Sequence, residues 1–331
     1  MKLLLTGATG FLGGHMAQRM SREGLDLRCL VRPTSDCSIL EELGAEVFRG
    51  DITDRRSLDQ ATKDVDAVVH LAAYYTFYGK KELYDRINVR GTKDLVESAL
   101  GNGVTRFLHC SSTEAIGPVT DPPGNEDSRP NPTYDYGRSK LASEKVIESF
   151  GDSGLEYTIL RPSGIYGPRN VDDISYWTIT SYAKNVLGTR FFIGSGKNYV
   201  QFCHVSDVVE GFMLALRDAK TSSKRTYIVS DERAYTYEDV YGILSDITGR
   251  GIPSFHVPTS MAKLMVLPIQ TINRLAGRYS FLYNTSTVDS VSSDRSYSID
   301  RIKSELGFRP KYDLRSGLEE TVFWYKGNGH V

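Results

Sequence analysis

From the first residue, short runs of leucine-type and β-branched residues alternate with helix-length stretches whose apolar positions recur every three or four. Runs at 2–6 (KLLLT), 27–31 (LRCLV), 45–50 (AEVFRG), 66–72 (DAVVHLA), 106–110 (RFLHC) and 156–161 (EYTILR) predict six strands. Several are almost uninterruptedly apolar, as strands are when helices cover both faces of a parallel sheet. Between them, 13–24 and 82–103 carry helical spacing and end in glycine, a common helix stop. This alternation predicts an α/β fold of Rossmann type, a doubly wound parallel sheet.

After about residue 165 the alternation loosens. Short strands are predicted at 190–194 and 199–205, and helices at 236–249, 260–277 and 313–327. The expected organisation is a nucleotide-binding domain over 1–165, to which later segments return, and a smaller substrate-binding lobe over most of 166–331. Ligands of open α/β sheets bind beyond the carboxyl ends of the strands, so a lobe placed there forms a substrate cleft.

Composition narrows the classes. The 331 residues are 40% hydrophobic and 24% charged, enough for a well-buried core. A formal net charge of -1, with no dense block of Lys and Arg, offers no field to a polyanion and argues against nucleic acid as a partner. Cys29, Cys37, Cys110 and Cys203 are scattered, so neither a disulfide framework nor a metal site is expected, and a reducing cytoplasm is. The opening MKLLLTGATG is too short an apolar run for a signal peptide and reads as a strand. The longest apolar stretch, MAKLMVLPIQTI, is broken by Lys263 and Pro268 and falls short of the roughly 20 residues that span a bilayer. No transmembrane segment is expected, although this stretch can touch a membrane surface.

The first strand runs into TGATGFLGG, with Gly7, Gly10 and Gly13 spaced three apart and Thr9, Phe11 and Leu12 between them. Glycine at such a turn lets backbone approach a pyrophosphate, and the following helix start offers free N–H groups and a positive dipole end. Further on, Tyr136 and Lys140 stand four residues apart in YDYGRSK, on one face of a helix. A phenol with a pKa near ~10 is a poor base at neutral pH, and a neighbouring ammonium stabilises the phenolate. Tyr134 lacks a lysine at that interval and is the weaker candidate. The hydroxyl cluster CSSTEAIG follows the fifth strand and can steady the same substrate oxygen.

Gly-x-x-Gly-x-x-Gly with a downstream Tyr-x-x-x-Lys resembles the extended short-chain dehydrogenase/reductase superfamily, along essentially the whole chain. The resemblance implies a catalytic set of Ser112, Tyr136 and Lys140, with Asn88 helping to order the site. It also implies cofactor contacts from Asp51 and Ile52 to the adenine, from Leu71, Ala72 and Ala73 beneath the cofactor, and from Pro162 and Ser163 beside the nicotinamide. At the end of the second strand an acid reads the ribose 2′-hydroxyl of NAD, whereas an arginine accommodates the 2′-phosphate of NADP. Arg32 occupies that place, with Thr34 and Ser35 beside it, which favours NADP(H) over NAD(H); Asp36 is the residue through which NAD would be read. Helices near 82–91 and 134–145 resemble those that build homodimers in relatives.

Dehydratases of the superfamily resemble one another in a Thr-Asp-Glu triplet, where this chain has Ser112-Thr113-Glu114, so elimination is disfavoured and Glu114 reads as a structural or loop-anchoring residue. Sugar-nucleotide enzymes tend to carry an Arg-Asp pair where this chain has Val200 and Gln201, leaving Arg169, Lys184, Arg190 or Lys197 to meet a diphosphate. These features look more like the 3β-hydroxysteroid dehydrogenase and dihydroflavonol reductase branch. Tyr74, Tyr75, Phe77, Tyr78, Tyr166, Tyr176, Trp177 and Phe202 are candidate linings for a ring-bearing substrate, though aromatics equally fill ordinary cores. The expected activity is a carbonyl reductase or alcohol dehydrogenase acting on a small apolar molecule. The alternatives are a nucleotide-sugar 4-epimerase using the same triad, and a non-catalytic cofactor sensor, from which loss of the tyrosine or lysine would be expected.

Overall fold

The structure, a computed structural model, describes residues 1–76, 79–171, 173–277 and 283–331. Its centre is a seven-stranded sheet of β1 (Lys2–Thr6), β2 (Asp26–Val31), β3 (Glu46–Arg49), β4 (Ala67–His70), β5 (Arg106–Cys110), β6 (Glu156–Pro162) and β7 (Arg225–Val229). The strands lie side by side in the order β7-β6-β5-β4-β1-β2-β3, all parallel. Because successive side chains of a strand point to opposite faces, each strand feeds two cores. Leu3, Leu5, Val69 and Leu108 pack with Met16 and Met20 of the helix Phe11–Arg22 and with Val208 and Phe212 of the helix Val205–Arg217. Leu4, Val68, Phe107 and Ile159 pack on the other face with Leu95 of the helix Gly91–Gly101 and Ile147 of the helix Asp135–Ser149.

The sheet has one strand more than the sequence predicts. β7 is only five residues long and follows the helix Val205–Arg217, so a strand–helix–strand unit from the second half of the chain rejoins the first domain. The predicted strand at 199–205 divides at Gln201: Tyr199–Val200 pairs antiparallel with Tyr235–Thr236, and Phe202–His204 parallel with Gly164–Tyr166. Phe191–Ile193 pairs with Phe255–Val257. The second half has its own core of Tyr166, Tyr182, Leu244, Leu318 and Tyr325. The helix predicted at 82–103 contains a π-helical turn at Tyr84–Arg90, a wide turn that often accompanies a functional site.

Strand order reverses between β1 and β4, which places a crevice over their carboxyl ends.

Candidate active site

That crevice opens into a cavity of about 1200 Å³. At its floor Gly7, just after β1, has φ of 75°, and a Cβ there would come within 2.7 Å of the Ala72 backbone nitrogen. At Gly13 a Cβ would meet the Gly7 carbonyl oxygen at 2.0 Å. The loop, the helix behind it and the end of β4 are therefore pressed together to a degree that only glycine permits. Gly10 is the N-cap of the helix Phe11–Arg22 and brings no side chain to its first amides, while Thr9, Gly10, Phe11, Leu12 and Gly13 all line the cavity. Uncapped amides at a positive dipole end are a donor set that fits a pyrophosphate.

The remaining predicted cofactor residues, Arg32, Asp51, Ile52, Leu71, Ala72, Ala73, Pro162 and Ser163, line the same cavity. One oxygen of Asp51 is held by the Thr53 amide and hydroxyl at 2.8 and 2.7 Å. Asp36 also reaches the cavity, but its Oδ1 already accepts from the Ser38 amide and hydroxyl at 3.0 and 2.9 Å, which holds its pKa down. Ser38 lines the rim, whereas Thr34 and Ser35, expected beside Arg32, are not part of the wall.

Tyr136 and Lys140 sit one turn apart on the helix Asp135–Ser149, both buried and both in the cavity wall. Lys140 Nζ donates to the Cys110 carbonyl at 2.7 Å and lies 5.9 Å from the centre of the Tyr136 ring. The expected lowering of the phenol's pKa does not emerge from this geometry. Burial, followed by the influence of Cys110, Asp173 and Glu114, lifts Tyr136 well above its ordinary value, and burial pushes the Lys140 ammonium down. Tyr136 is consequently a protonated phenol at neutral pH. Tyr75 meets it edge-on, ring centres 4.9 Å apart, and donates its hydroxyl to Asp173 at 2.8 Å.

Ser112 reaches the wall just past β5, its Oγ accepting from the Glu114 amide at 3.1 Å. Ser111 donates to Glu144, which Arg161 also holds. Asn88 is absent from the wall. Its amide instead brackets the Tyr74 backbone, accepting from the nitrogen at 2.6 Å and donating to the oxygen at 3.1 Å, and donates to Ser139 on the helix of Tyr136 at 2.9 Å. This makes it a positioning residue that ties the end of β4 to the tyrosine's helix. Tyr134 donates to the Ser286 carbonyl at 2.8 Å.

At the far end of the cavity stand Phe191, Phe192, Val200, Phe202, Tyr237 and Tyr241. Of the aromatics expected there, Tyr74, Tyr75 and Phe202 line the wall; Tyr166 and Tyr176 pack in the second lobe, Trp177 is exposed, and Phe77 and Tyr78 lie outside the described residues. A buried ion pair flanks this end: Arg295 Nε donates to Glu114 at 2.9 Å and Nη1 to the Ser290 carbonyl at 2.8 Å. Burial works against the Arg295 cation, but the Glu114 carboxylate together with Tyr134 and Tyr297 outweighs it and holds the pKa up. Arg295 escapes sequence reading because its partner is 181 residues away. Of the four cations considered for a diphosphate, Arg169 reaches the wall, whereas Lys184, Arg190 and Lys197 do not. Gln201 is occupied structurally, donating to the Asp231 carbonyl at 2.9 Å and accepting from the Tyr297 amide at 2.6 Å.

The chain is 29% identical over 340 residues to sterol demethylase protein B of Methylococcus capsulatus, covering 100% of each chain. It is 26% identical over 333 residues to the decarboxylating sterol-4-alpha-carboxylate 3-dehydrogenase of Mus musculus, covering 97% of this chain and 90% of that one. Among solved structures, gox2253 superposes with a TM-score of 0.84 at 29% identity over 99% of both chains. The model of the NAD dependent epimerase/dehydratase family matches residues 3–230. With the phosphate cradle, the Tyr136–Lys140 helix and the parallel sheet in these positions, the chain belongs to the NAD dependent epimerase/dehydratase family and is an enzyme of the short-chain dehydrogenase/reductase type.

Proposed function

We propose that the protein is an NADP(H)-dependent carbonyl reductase or alcohol dehydrogenase for an apolar, ring-bearing substrate. The observation that carries this reading is a single cavity with a buried tyrosine–lysine pair at its middle, a glycine-rich amide cradle at one end and an aromatic wall at the other. The cofactor, when bound, exchanges a hydride with the substrate's carbinol or carbonyl carbon. Gly7, Gly10 and Gly13 give it backbone room, Arg32 answers a 2′-phosphate, and Pro162 and Ser163 flank the nicotinamide end.

Tyr136 donates its phenolic proton to a carbonyl oxygen in reduction, or as the phenolate receives one from a carbinol in oxidation, and Ser112 steadies the same oxygen by hydrogen bonding. Burial keeps Tyr136 protonated at neutral pH, the state a reduction requires. Lys140 holds the ribose and places a positive charge near the phenol. The relatives' names point to polycyclic alcohols, and the sterol-directed ones match along nearly their whole length.

The same residues would serve a nucleotide-sugar 4-epimerase, with Arg169 at the wall to meet its diphosphate, but the position that would carry the expected diphosphate arginine holds Val200, Gln201 is tied into the backbone, and Arg295 is paired with Glu114. Tyr136→Phe should lower turnover of ketone substrates by about three orders of magnitude. It should leave the NADPH-induced rise in melting temperature intact. A variant with normal turnover overturns the assignment, and a wild type that interconverts sugar nucleotides without net NADPH consumption replaces it with the epimerase.

A further inference from the structure

The helix Thr259–Leu275 is amphipathic in the reverse sense from a surface helix of a globular protein. Its inward side is thinly apolar: Ala262 is its one buried residue, and Val266, Gln270 and Asn273 are half-buried. Met261, Leu264, Met265, Ile269, Ile272 and Leu275 face outward, with Leu264 71%, Ile272 65% and Leu275 84% exposed. Their spacing of three and four places them in one stripe along the helix. Phe255, 73% exposed on the strand leading into the helix, extends the apolar surface. An apolar patch of this size marks a contact with something other than water.

The charges around the stripe choose the occupant. In a chain with 41 acidic residues and a net charge of -1, the stretch from 247 to 288 contains no Asp or Glu, while Arg250, Lys263 and Arg274 fall within it; Lys263 is paired with Asp289, so Arg250 and Arg274 carry the imbalance. A second copy of the chain or a protein partner needs no such imbalance, whereas an anionic bilayer surface attracts cations flanking a buried apolar face. Among the described residues no helix is long and apolar enough to cross a membrane, so the contact is with the surface.

We infer that the helix Thr259–Leu275 docks the enzyme in the interfacial plane of a membrane bearing anionic lipids. The helix packs on the segment Thr285–Val291, with Lys263 bonded to Asp289 and the Gln270 side chain accepting from the Thr285 amide at 3.1 Å. Thr287, Ser290 and Val291 of that segment line the cavity, as do the residues of Phe191–Ile193, the strand paired with Phe255–Val257. Docking therefore sets the substrate end of the cavity beside the lipid, where an apolar substrate concentrates. The contact itself stands whether or not the proposed reaction does, because it is read without substrate or cofactor.

The full-length protein is sedimented with vesicles of phosphatidylcholine alone and of phosphatidylcholine mixed with phosphatidylglycerol. Wild type should pellet with the anionic vesicles, less so as salt rises. The double variant Leu264→Ser/Ile272→Ser should weaken that binding by about tenfold or more at an unchanged melting temperature, since both side chains are exposed. Should the double variant not fold, Arg274→Glu decides by weakening binding to anionic vesicles and flattening its salt dependence. The inference is overturned by wild type remaining in the supernatant with anionic vesicles, or by variants that bind as well as wild type. Sedimentation velocity showing a dimer that the double variant separates, with no vesicle binding, assigns the patch to a second copy instead.

Discussion

Arg32 and Asp36 lie four residues apart at one rim of the cavity and differ in how committed they are. Asp36 spends an oxygen on the Ser38 turn, while Arg32 stands exposed at the cavity edge on a loop braced by Arg49, which donates to the Pro33 carbonyl at 3.0 Å. A guanidinium so placed can form charge-assisted bonds to a phosphate but gains little from a bare ribose hydroxyl. Arg32→Ala should therefore raise the KM for NADPH by roughly tenfold while leaving that for NADH within about a factor of two, since one such bond is worth about 1.5–3 kcal/mol before solvent screening at this exposed position. Initial rates with each cofactor check this, and equal losses for both would remove Arg32 from any role in discrimination. Residues of this kind are legible in sequence because their chemistry is local: the glycines of one loop, Tyr136 and Lys140 on one helical turn, Ser112 at a strand end. Arg295 is not legible, because its meaning comes from Glu114, a carboxylate brought to it only by the closed fold.

At the scale of elements, the strand-to-helix turn after β1 is built to a tolerance that a single methyl group breaches. An alanine at Gly13 would set its Cβ 2.0 Å from the Gly7 carbonyl oxygen, a contact with backbone that no side-chain rotation relieves. The helix Phe11–Arg22 would have to lift from β1, taking its amides away from the pyrophosphate position. Gly13→Ala is expected to cost roughly 3 kcal/mol of stability and to abolish the cofactor-induced thermal shift. Differential scanning fluorimetry with and without NADPH measures both, and a variant that still binds NADPH normally contradicts this account of the cradle. All six predicted strands end within a residue or two of their observed bounds, since their apolar runs are flanked by turn residues. β7, RTYIV, is as long as β1 and β5, and the helical spacing of VSDVVEGFMLALR just before it announces another strand–helix–strand unit, so it is legible in the sequence although it is not among the six predicted strands. The π turn at Tyr84–Arg90 has no signature in apolar periodicity, and with it the bracketing of Tyr74 by Asn88 stays invisible until the backbone is seen.

Over the whole molecule, the active site rests on buried imidazoles that make the fold sensitive to acid. His70 bridges Thr6 and Thr92 at 2.7 and 2.9 Å, and burial, with Lys140 second, pushes its pKa down to about 3. His109, 5.2 Å away and paired with Ser143, is held well below the ordinary value by burial, Lys140 and His70, and burial lowers His204 to about 4. In the unfolded chain these groups titrate near ~6.5. As pH falls through that value, the unfolded state binds protons that the folded state refuses, so stability is full above it and declines toward the folded pKa values. Asp231 works in the opposite direction: burial raises its carboxyl to about 6, so the folded state takes up one proton there and recovers part of the loss. Burial raises Glu126, Glu148 and Asp207 as well, so these carboxyls also offset the imidazoles, and the free energy of unfolding should drop as pH is lowered from about 7 to about 5 by less than the ~1.4 kcal/mol per pH unit that each neutral histidine contributes alone. Urea titrations across that range test the account through its slope rather than its level. His70→Asn keeps a hydrogen-bonding side chain between the two threonines but removes a titrating ring, so its curve should start lower and fall less steeply by about one proton's worth. Parallel curves for wild type and His70→Asn would mean that His70 is not held neutral in the folded state and that acid lability arises elsewhere.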